Sequence, residues 1–456
     1  MMPAANGITE RFLARWADQP PDRLRDLAGQ VGRPLSFGSR FLTRPAFLEA
    51  EEARRVAADS SALLDLLFTL PGRLFGGDLT AMAAAVGLAP VQAEAVVRTA
   101  AEHPVRLARA DLYHDGEGFR LLEYNVSSAL GGWDISILNR CLLRDPGLAS
   151  FAGEEGLTFP DTVAAFAGVI LAECAGLDCP SRPVVALADW PSSYPTFGPS
   201  LDSMARSLEP FGLEAYGCHA GQLTTRNGHL YLGGRHVDAV YRFIPLSDLL
   251  DGPDAPAVAE PMIAAAERGT AHMITGFSAG LFASKGCLAL LSDDGHREIF
   301  SPAERDLIDR FIPWTRTLRP GPAQVGGQRV DLVDYVLDSQ ADLILKPAQL
   351  YGGAGVLPGW RVSHRAWAKA VRAGLGGRVV VQRRVRPATE RFPDPAAPGG
   401  ASEQALNWGV IIAGPGYAGT VVRGMPGSDV GVINLSNGAG ATGAFHVMTP
   451  PAEASD

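Results

Sequence analysis

Residues 106–128, RLARADLYHDGEGFRLLEYNVSS, constrain the fold of this chain more than any other stretch. Asp115, Gly116, Glu117 and Gly118 have the composition of a tight turn, and alternating apolar residues flank them on both sides, so the segment reads as a β-hairpin. With its centre at Glu117, Asp111 falls opposite Glu123 and Arg109 opposite Asn125. Side chains alternate along a strand, so these four polar residues share one face. The other face carries Ala108, Ala110, Leu112, Leu122, Tyr124 and Val126 and suits a core.

Two carboxylates directly opposite each other on a sheet repel. Positive charge between them removes the conflict, and two sources are open at this point. A hard cation such as Mg²⁺ would take carboxylate oxygens from Asp111 and Glu123 and an amide oxygen from Asn125, completing its shell with water and phosphate. Alternatively, the hairpin lies at the surface, its acids are solvated, and Arg109 is their ion-pair partner.

The 456 residues are 46% hydrophobic and 20% charged, a globular composition long enough for two or three domains. A net charge of −9 argues against nucleic acid as the main partner. No apolar run approaches the length of a membrane span, and the first twenty residues lack the apolar stretch of a signal peptide, so a cytoplasmic protein is expected. The five cysteines (Cys141, Cys174, Cys179, Cys218 and Cys287) are scattered, without CxxC, and read as reduced thiols.

Residues 1–100 form a helical region: ERFLARWAD, PAFLEAEEARRVAADSSALLDLLFTL and PVQAEAVVRTAAEH all have helical apolar spacing. Residues 101–158 hold the hairpin, the loop SSALGGWD and a helix over ISILNRCLL; the loop leaves the polar strand directly, so Ser127, Ser128, Gly131 and Gly132 either reach the bound ligand or simply connect. Strand–helix–strand alternation over 159–255 predicts a small parallel sheet, without the GxGxxG of dinucleotide binding. Arg242 ends its last strand, either as an anion ligand or as an exposed strand end.

Residues 256–450 read as α+β. Lys285 opens a helix, a position that favours phosphate. Lys346 ends the apolar strand DLILKP, and Gly352, Gly353, Ala354 and Gly355 follow as a loop whose backbone N–H groups can lie over an anion. This is not a GxxxxGK[ST] P-loop, because the lysine precedes the glycines. RVVVQRRV is a buried strand containing Gln382; LNWGVIIAG, YAGTVVRGM and VGVINLSNGAG read as further strands, with Arg423 among them. The intervening ATERFPDPAAPGGASEQ has the Pro, Gly, Ala and Ser content of a mobile loop.

The order of these pieces resembles the circularly permuted ATP-grasp ligases, specifically the synthetase part of glutathionylspermidine synthase. Arg109-Ala110-Asp111 and Leu121-Leu122-Glu123-Tyr124-Asn125 match that family's Arg-x-Asp and Leu-Leu-Glu-Tyr-Asn. Ala283-Ser284-Lys285 looks like its Ser-Asn-Lys, Lys346-Pro347 like its second phosphate lysine, and Gly352-Gly353 like its flexible glycine loop. Gln382 falls near the hinge that takes adenine, and residues 418–423 are similar to its Ala-Gly-x-x-x-Arg strand. The similarity spans roughly residues 100–445. The segment after Asn125 departs from it, reading Val-Ser-Ser-Ala instead of Ala-Asp-Thr-Pro, and no amidase pattern precedes the synthetase part, so glutathione and spermidine are not implied as substrates.

The resemblance implies an α+β ATP-grasp fold, circularly permuted, with a helical N-terminal region and a small α/β preATP-grasp-like domain. It implies ATP and Mg²⁺ as cofactors and ligation of a small-molecule or short-peptide carboxylate to an amine through an acyl phosphate. Asp111, Glu123 and Asn125 would hold metal. Arg109 and Arg423 would serve the reacting carboxylate, and Lys285, Lys346, Gly352, Gly353 and Gln382 the nucleotide. The same nucleotide site would also serve a small-molecule kinase or a regulatory protein that binds nucleotide without turnover.

Overall fold

The computed structural model describes residues 7–175, 180–397, 400–427 and 430–447. Cys179 lies outside these; the other four cysteines are buried and in no disulfide.

The hairpin forms as expected, Leu107–His114 pairing with Phe119–Val126, and both strands belong to the largest sheet. The order across that sheet is Ala46–Leu48, Gly440–Val447, Gly416–Pro426, Ala401–Ala413, Leu107–His114, Phe119–Val126. Thr389–Pro393 and Leu157–Thr158 pair at its margins. Neighbours are antiparallel except Ala46–Leu48, which runs parallel to Gly440–Val447. On one face Ala110, Leu112, Tyr124, Val410, Ile412 and Val422 pack with Leu63, Leu64 and Leu67 of the long helix Ala50–Phe75. The other face carries the polar square and, further along, Ile411 and Val421, against which the helices Thr162–Ala175 and Ile135–Leu142 pack.

A second sheet, of four parallel strands in the order His272–Ile274, Ala239–Arg242, Val184–Asp189, Glu214–His219, is the small α/β unit expected from the sequence. A third is antiparallel: Thr315–Thr317, Val379–Arg383, Leu343–Pro347, Leu357–Pro358. Period-two alternation sends Leu343, Leu345 and Val381 into a core with Trp367 and Val371 of the helix His364–Gly374. It sends Ile344, Lys346 and Gln382 the opposite way, towards the polar square. The architecture is therefore mixed α+β with several sheets.

Four local expectations are corrected. PAFL is not helical: residues 46–48 form a strand, and the helix begins at Ala50. ATERFPDPAAPGGASEQ is a β-hairpin in which Thr389–Pro393 pairs with the start of Ala401–Ala413; residues 398 and 399 lie outside the described chain. VGVINLSNGAG is a loop with one 3₁₀ turn, Leu435–Asn437, and the strand starts at Gly440. Leu122 does not share the core face. The register passes from Asp111–Glu123 to Leu112–Leu121, so Leu121 is buried and Leu122 is the extra residue of a β-bulge.

No helix among the described residues is long and apolar enough to cross a membrane.

Candidate active site

The polar face of the large sheet and the Ile344–Lys346–Gln382 face of the small antiparallel sheet enclose a cleft of about 270 Å³. Arg109, Asp111, Glu123, Asn125, Lys346, Gly352, Gly353, Gln382 and Arg423 all line it. Lys285 is the one expected site residue outside this lining, and its ammonium still reaches Glu123 Oε2 at 3.0 Å.

Asp111 is the electrostatic centre. Arg109 donates to both its carboxylate oxygens, Nε to Oδ1 at 2.7 Å and Nη2 to Oδ2 at 2.9 Å. Arg423 adds a bond from Nη2 to Oδ1 at 2.7 Å, and Asn125 Nδ2 one to Oδ2 at 3.3 Å. Burial alone raises a carboxyl pKa, but the two guanidiniums outweigh it and hold Asp111 down at about 2. Asp111 is thus buried and paired, and Arg109, Glu123 and Asn125 are half-buried around it, so the square is not a solvated surface patch.

Each arginine is fixed by further contacts. Arg109 Nη1 donates to Gly131 O at 2.9 Å, which ties it to the loop after Asn125. Arg423 Nη2 also donates to Asn407 Oδ1 at 2.8 Å, its partner across the ladder. The Nε of Arg423 is buried with no hydrogen-bond partner among the described residues. Gly409, opposite Asp111, makes room for this arrangement: a Cβ there would stand 2.9 Å from Arg109 Cδ and 2.8 Å from Val421 Cγ1.

Lys346 crosses from the small sheet to the large one. Its Nζ donates to Leu122 O at 2.9 Å and to Gln382 Oε1 at 2.6 Å. The bulge therefore has a purpose, since the unpaired residue offers its carbonyl to the incoming lysine. Burial drives the Lys346 ammonium down to about 7, against the pull of Glu123. Gln382 also donates to Thr315 Oγ1 at 3.1 Å, so its side chain positions Lys346, while Arg383, the last residue of its strand, and Arg384 beyond it also line the cleft. Lys285 Nζ donates to Leu350 O at 2.7 Å and lies 5.7 Å from the Tyr351 ring centroid, linking Glu123 to the glycine loop. Gly352 and Gly353 adopt φ of +63° and +77°, conformations that glycine accepts freely. Asn434 donates to Gly352 O, so the loop expected to be a strand instead clasps the glycine loop.

Of the residues after Asn125, Ser127 and Gly131 line the cleft. Ser128 turns inward and bonds to Arg242 O at 2.6 Å. Arg242 is 1% exposed and lines the cleft, so the exposed-strand-end alternative is excluded. Asn407, Tyr351 and the loop 431–434 are cleft residues that sequence reasoning did not single out. Alternation in LNWGV puts Asn407 and Trp408 on opposite faces, yet which face bears a site is decided only by what packs on it.

Among the described residues, no three His, Cys, Asp or Glu side chains gather as a metal cage. Mg²⁺ is commonly held by one or two carboxylates with water and phosphate rather than by an all-protein cage, and here both Asp111 oxygens accept from Arg109, Arg423 and Asn125, so an ion at this face would take the place of those hydrogen bonds. Asp111, Glu123 and Asn125 supply two carboxylates and an amide on one face.

No family model matches the sequence, and no curated protein matches it. Among solved structures, a γ-glutamylcysteine synthetase, assigned only provisionally, from Methylobacillus flagellatus aligns at 14% identity and TM-score 0.42, over 85% of this chain and 88% of its own. The apo structure of a glutathione synthetase-like effector from Globodera pallida aligns at 12% identity and TM-score 0.60, over 97% of this chain and 99% of its own. The chain shares its overall fold with that effector.

Proposed function

We propose that this protein is an ATP-dependent carboxylate–amine ligase with a circularly permuted ATP-grasp site, releasing ADP and phosphate. One observation carries the reading: Arg109, Arg423 and Lys285 converge on only two carboxylates, Asp111 and Glu123, at one cleft whose lining also holds Lys346. Buried cations in excess call for a bound anion. The unpartnered Nε of Arg423 and the glycine loop beside Lys285 supply donors for one. The fold shared with a glutathione synthetase-like effector agrees with this reading.

In this mechanism a substrate carboxylate oxygen attacks the γ-phosphorus of ATP, and the bond to the β-phosphate oxygen breaks. The products are an acyl phosphate and ADP. An amine then attacks the acyl carbon, the C–O bond to phosphate breaks, and an amide forms as the nitrogen loses a proton. Asp111, Glu123 and Asn125 would hold Mg²⁺, which neutralises phosphate charge when bound. Lys285 and Lys346, which reach the adjacent residues Glu123 and Leu122, would hold the phosphates. Arg109 and Arg423, locked by Asp111, Gly131 O and Asn407, orient the carboxylate and stabilise the oxyanion of the second step without reorganising. The glycine loop and the 431–434 loop cover the site and keep water from the acyl phosphate.

Hydroxylamine tests this reading without knowledge of the natural amine, because it converts any acyl phosphate to a hydroxamate. The protein, ATP, Mg²⁺ and a panel of amino acids and short peptides should give ADP and hydroxamate in equal amounts. ADP formed with a stable phosphorylated product and no hydroxamate would instead identify a kinase. Binding of ATP without any ADP release across the panel would point to a regulatory protein.

A further inference from the structure

The chemistry above leaves one buried charge unused. Arg242 ends the Ala239–Arg242 strand of the parallel sheet and lies at the cleft wall together with Leu246, Gly280 and Tyr351. It has no carboxylate within ion-pair distance among the described residues; Asp248 acts on it only through space. Its four hydrogen bonds go to backbone carbonyls: Nε and Nη2 to Thr275 O at 3.3 and 3.2 Å, Nη2 to Gly276 O at 3.2 Å, and Nη1 to Ile244 O. A guanidinium has five N–H groups, so one on Nη1 remains. The ring of Phe277 lies 4.5 Å from the guanidinium carbon and fixes its plane.

The surroundings hold this group in place at a cost. Thr275 has φ +51°, an unfavourable backbone conformation for a β-branched residue. That geometry lets its carbonyl meet Arg242 while its hydroxyl accepts from Ser128 N at 2.8 Å. Ser128 Oγ in turn donates to Arg242 O at 2.6 Å. Ser128 belongs to the same loop as Gly131, whose carbonyl fixes Arg109. One loop therefore sets the positions of both cleft arginines, Arg109 through Gly131 O and Arg242 through Ser128. In open parallel sheets, ligands bind at the carboxyl ends of the strands, where Arg242 stands.

We propose that Arg242 determines substrate specificity by binding a second carboxylate of the acid substrate, whose first carboxylate lies at Arg109 and Arg423. This rests on the ligase reading and narrows its substrate class to dicarboxylic acids, including amino acids and peptides with a free carboxylate remote from the reacting one. A neutral amide in place of the remote carboxylate leaves the buried guanidinium without its counter-charge.

The test uses the full chain with Mg²⁺ and a non-hydrolysable ATP analogue, and calorimetry with glutarate, adipate and glutamate against their half-amides glutaramate, adipamate and glutamine. At least one diacid should bind about tenfold or more tighter than its half-amide, the loss expected for a charged hydrogen bond. Arg242→Gln should abolish that preference and leave the affinity for the ATP analogue unchanged, and Arg242→Lys should restore part of it. Two results overturn the proposal: no diacid preferred over its half-amide by the wild-type protein, or a preference that survives in Arg242→Gln. If Arg242→Gln does not fold, the wild-type comparison and Arg242→Lys still decide. Failure of the ATP analogue to bind would count against the ligase reading itself, and so is distinguishable from failure of the diacid preference.

Discussion

Lys346 gives the sharpest prediction, because its buried position disfavours the charge its proposed role requires. An ordinary lysine ammonium titrates at 10.5, and here burial brings it to about 7. The difference corresponds to about 5 kcal/mol of disfavoured charge. The sign follows from linkage. Between about 7 and 10.5 the unfolded chain binds the proton that the folded chain has released, so stability rises with pH across that window. Nucleotide phosphates reverse the balance, since an anion beside Nζ favours the ammonium. At pH 8.5, about thirty copies of the free protein carry neutral Lys346 for each charged one, and Mg²⁺–nucleotide is fully ionised. Binding at pH 8.5 should therefore take up close to one proton, whereas binding at pH 6 should take up none through this group. Calorimetry in buffers of different ionisation enthalpy reads the number directly from the slope of observed heat against buffer enthalpy. Lys346→Met should remove the uptake and weaken binding far more at pH 6 than at pH 8.5. Zero uptake by the wild-type protein at pH 8.5, or uptake that persists in Lys346→Met, would refute the assignment of Lys346 to the phosphates.

Two further substitutions separate charge from packing. Asp111→Asn leaves two guanidiniums without their shared counter-charge and should lower stability by about 3–5 kcal/mol in denaturant titration, whereas Glu123→Gln, at a carboxylate 20% exposed, takes the counter-charge from Lys285 alone and should cost less while abolishing hydroxamate formation. Equal melting of the two variants would show that Asp111 is not the hub of the arginine pair. Gly409→Val inserts side-chain atoms where a Cβ already stands 2.9 Å from Arg109 Cδ, so turnover should fall by at least about a hundredfold through a misplaced arginine; unchanged kcat in a folded Gly409→Val protein would remove Arg109 from the reacting centre.

The legible parts of this site are those written within one local period. Asp111–Glu123 and Arg109–Asn125 follow from the symmetry of a hairpin about its turn, and both pairings hold in the structure. The same arithmetic fails one residue later, at Leu122, because the strand takes an extra residue there and presents a carbonyl to Lys346, 224 positions away. Composition misled at 389–404 for a similar reason. Its prolines and glycines describe the turn, whereas the flanking residues extend a thirteen-residue strand whose pairing composition does not encode. Residues 46–48 are three apolar residues that become a strand only because Gly440–Val447 offers an edge.

The contacts that give the cleft its charge are the least local of all. Arg423 meets Asp111 across 312 positions, and Lys285 meets Glu123 from another element. Read singly, each is an ordinary arginine or lysine; only the sheet order places Arg423 two strands from Asp111. That order also explains why the polar square is buried. Two facing acids on an exposed hairpin need no partner beyond solvent. Sealed beneath a second sheet, the same acids need cations from distant parts of the chain, and the fold brings Arg109, Arg423 and Lys285 to a site with two acids, with Lys346, whose charge burial disfavours, beside them. A purely structural solution would have stopped at neutrality. The surplus is the feature that packing alone does not require, and the polyanionic substrate of the proposed ligase would account for it.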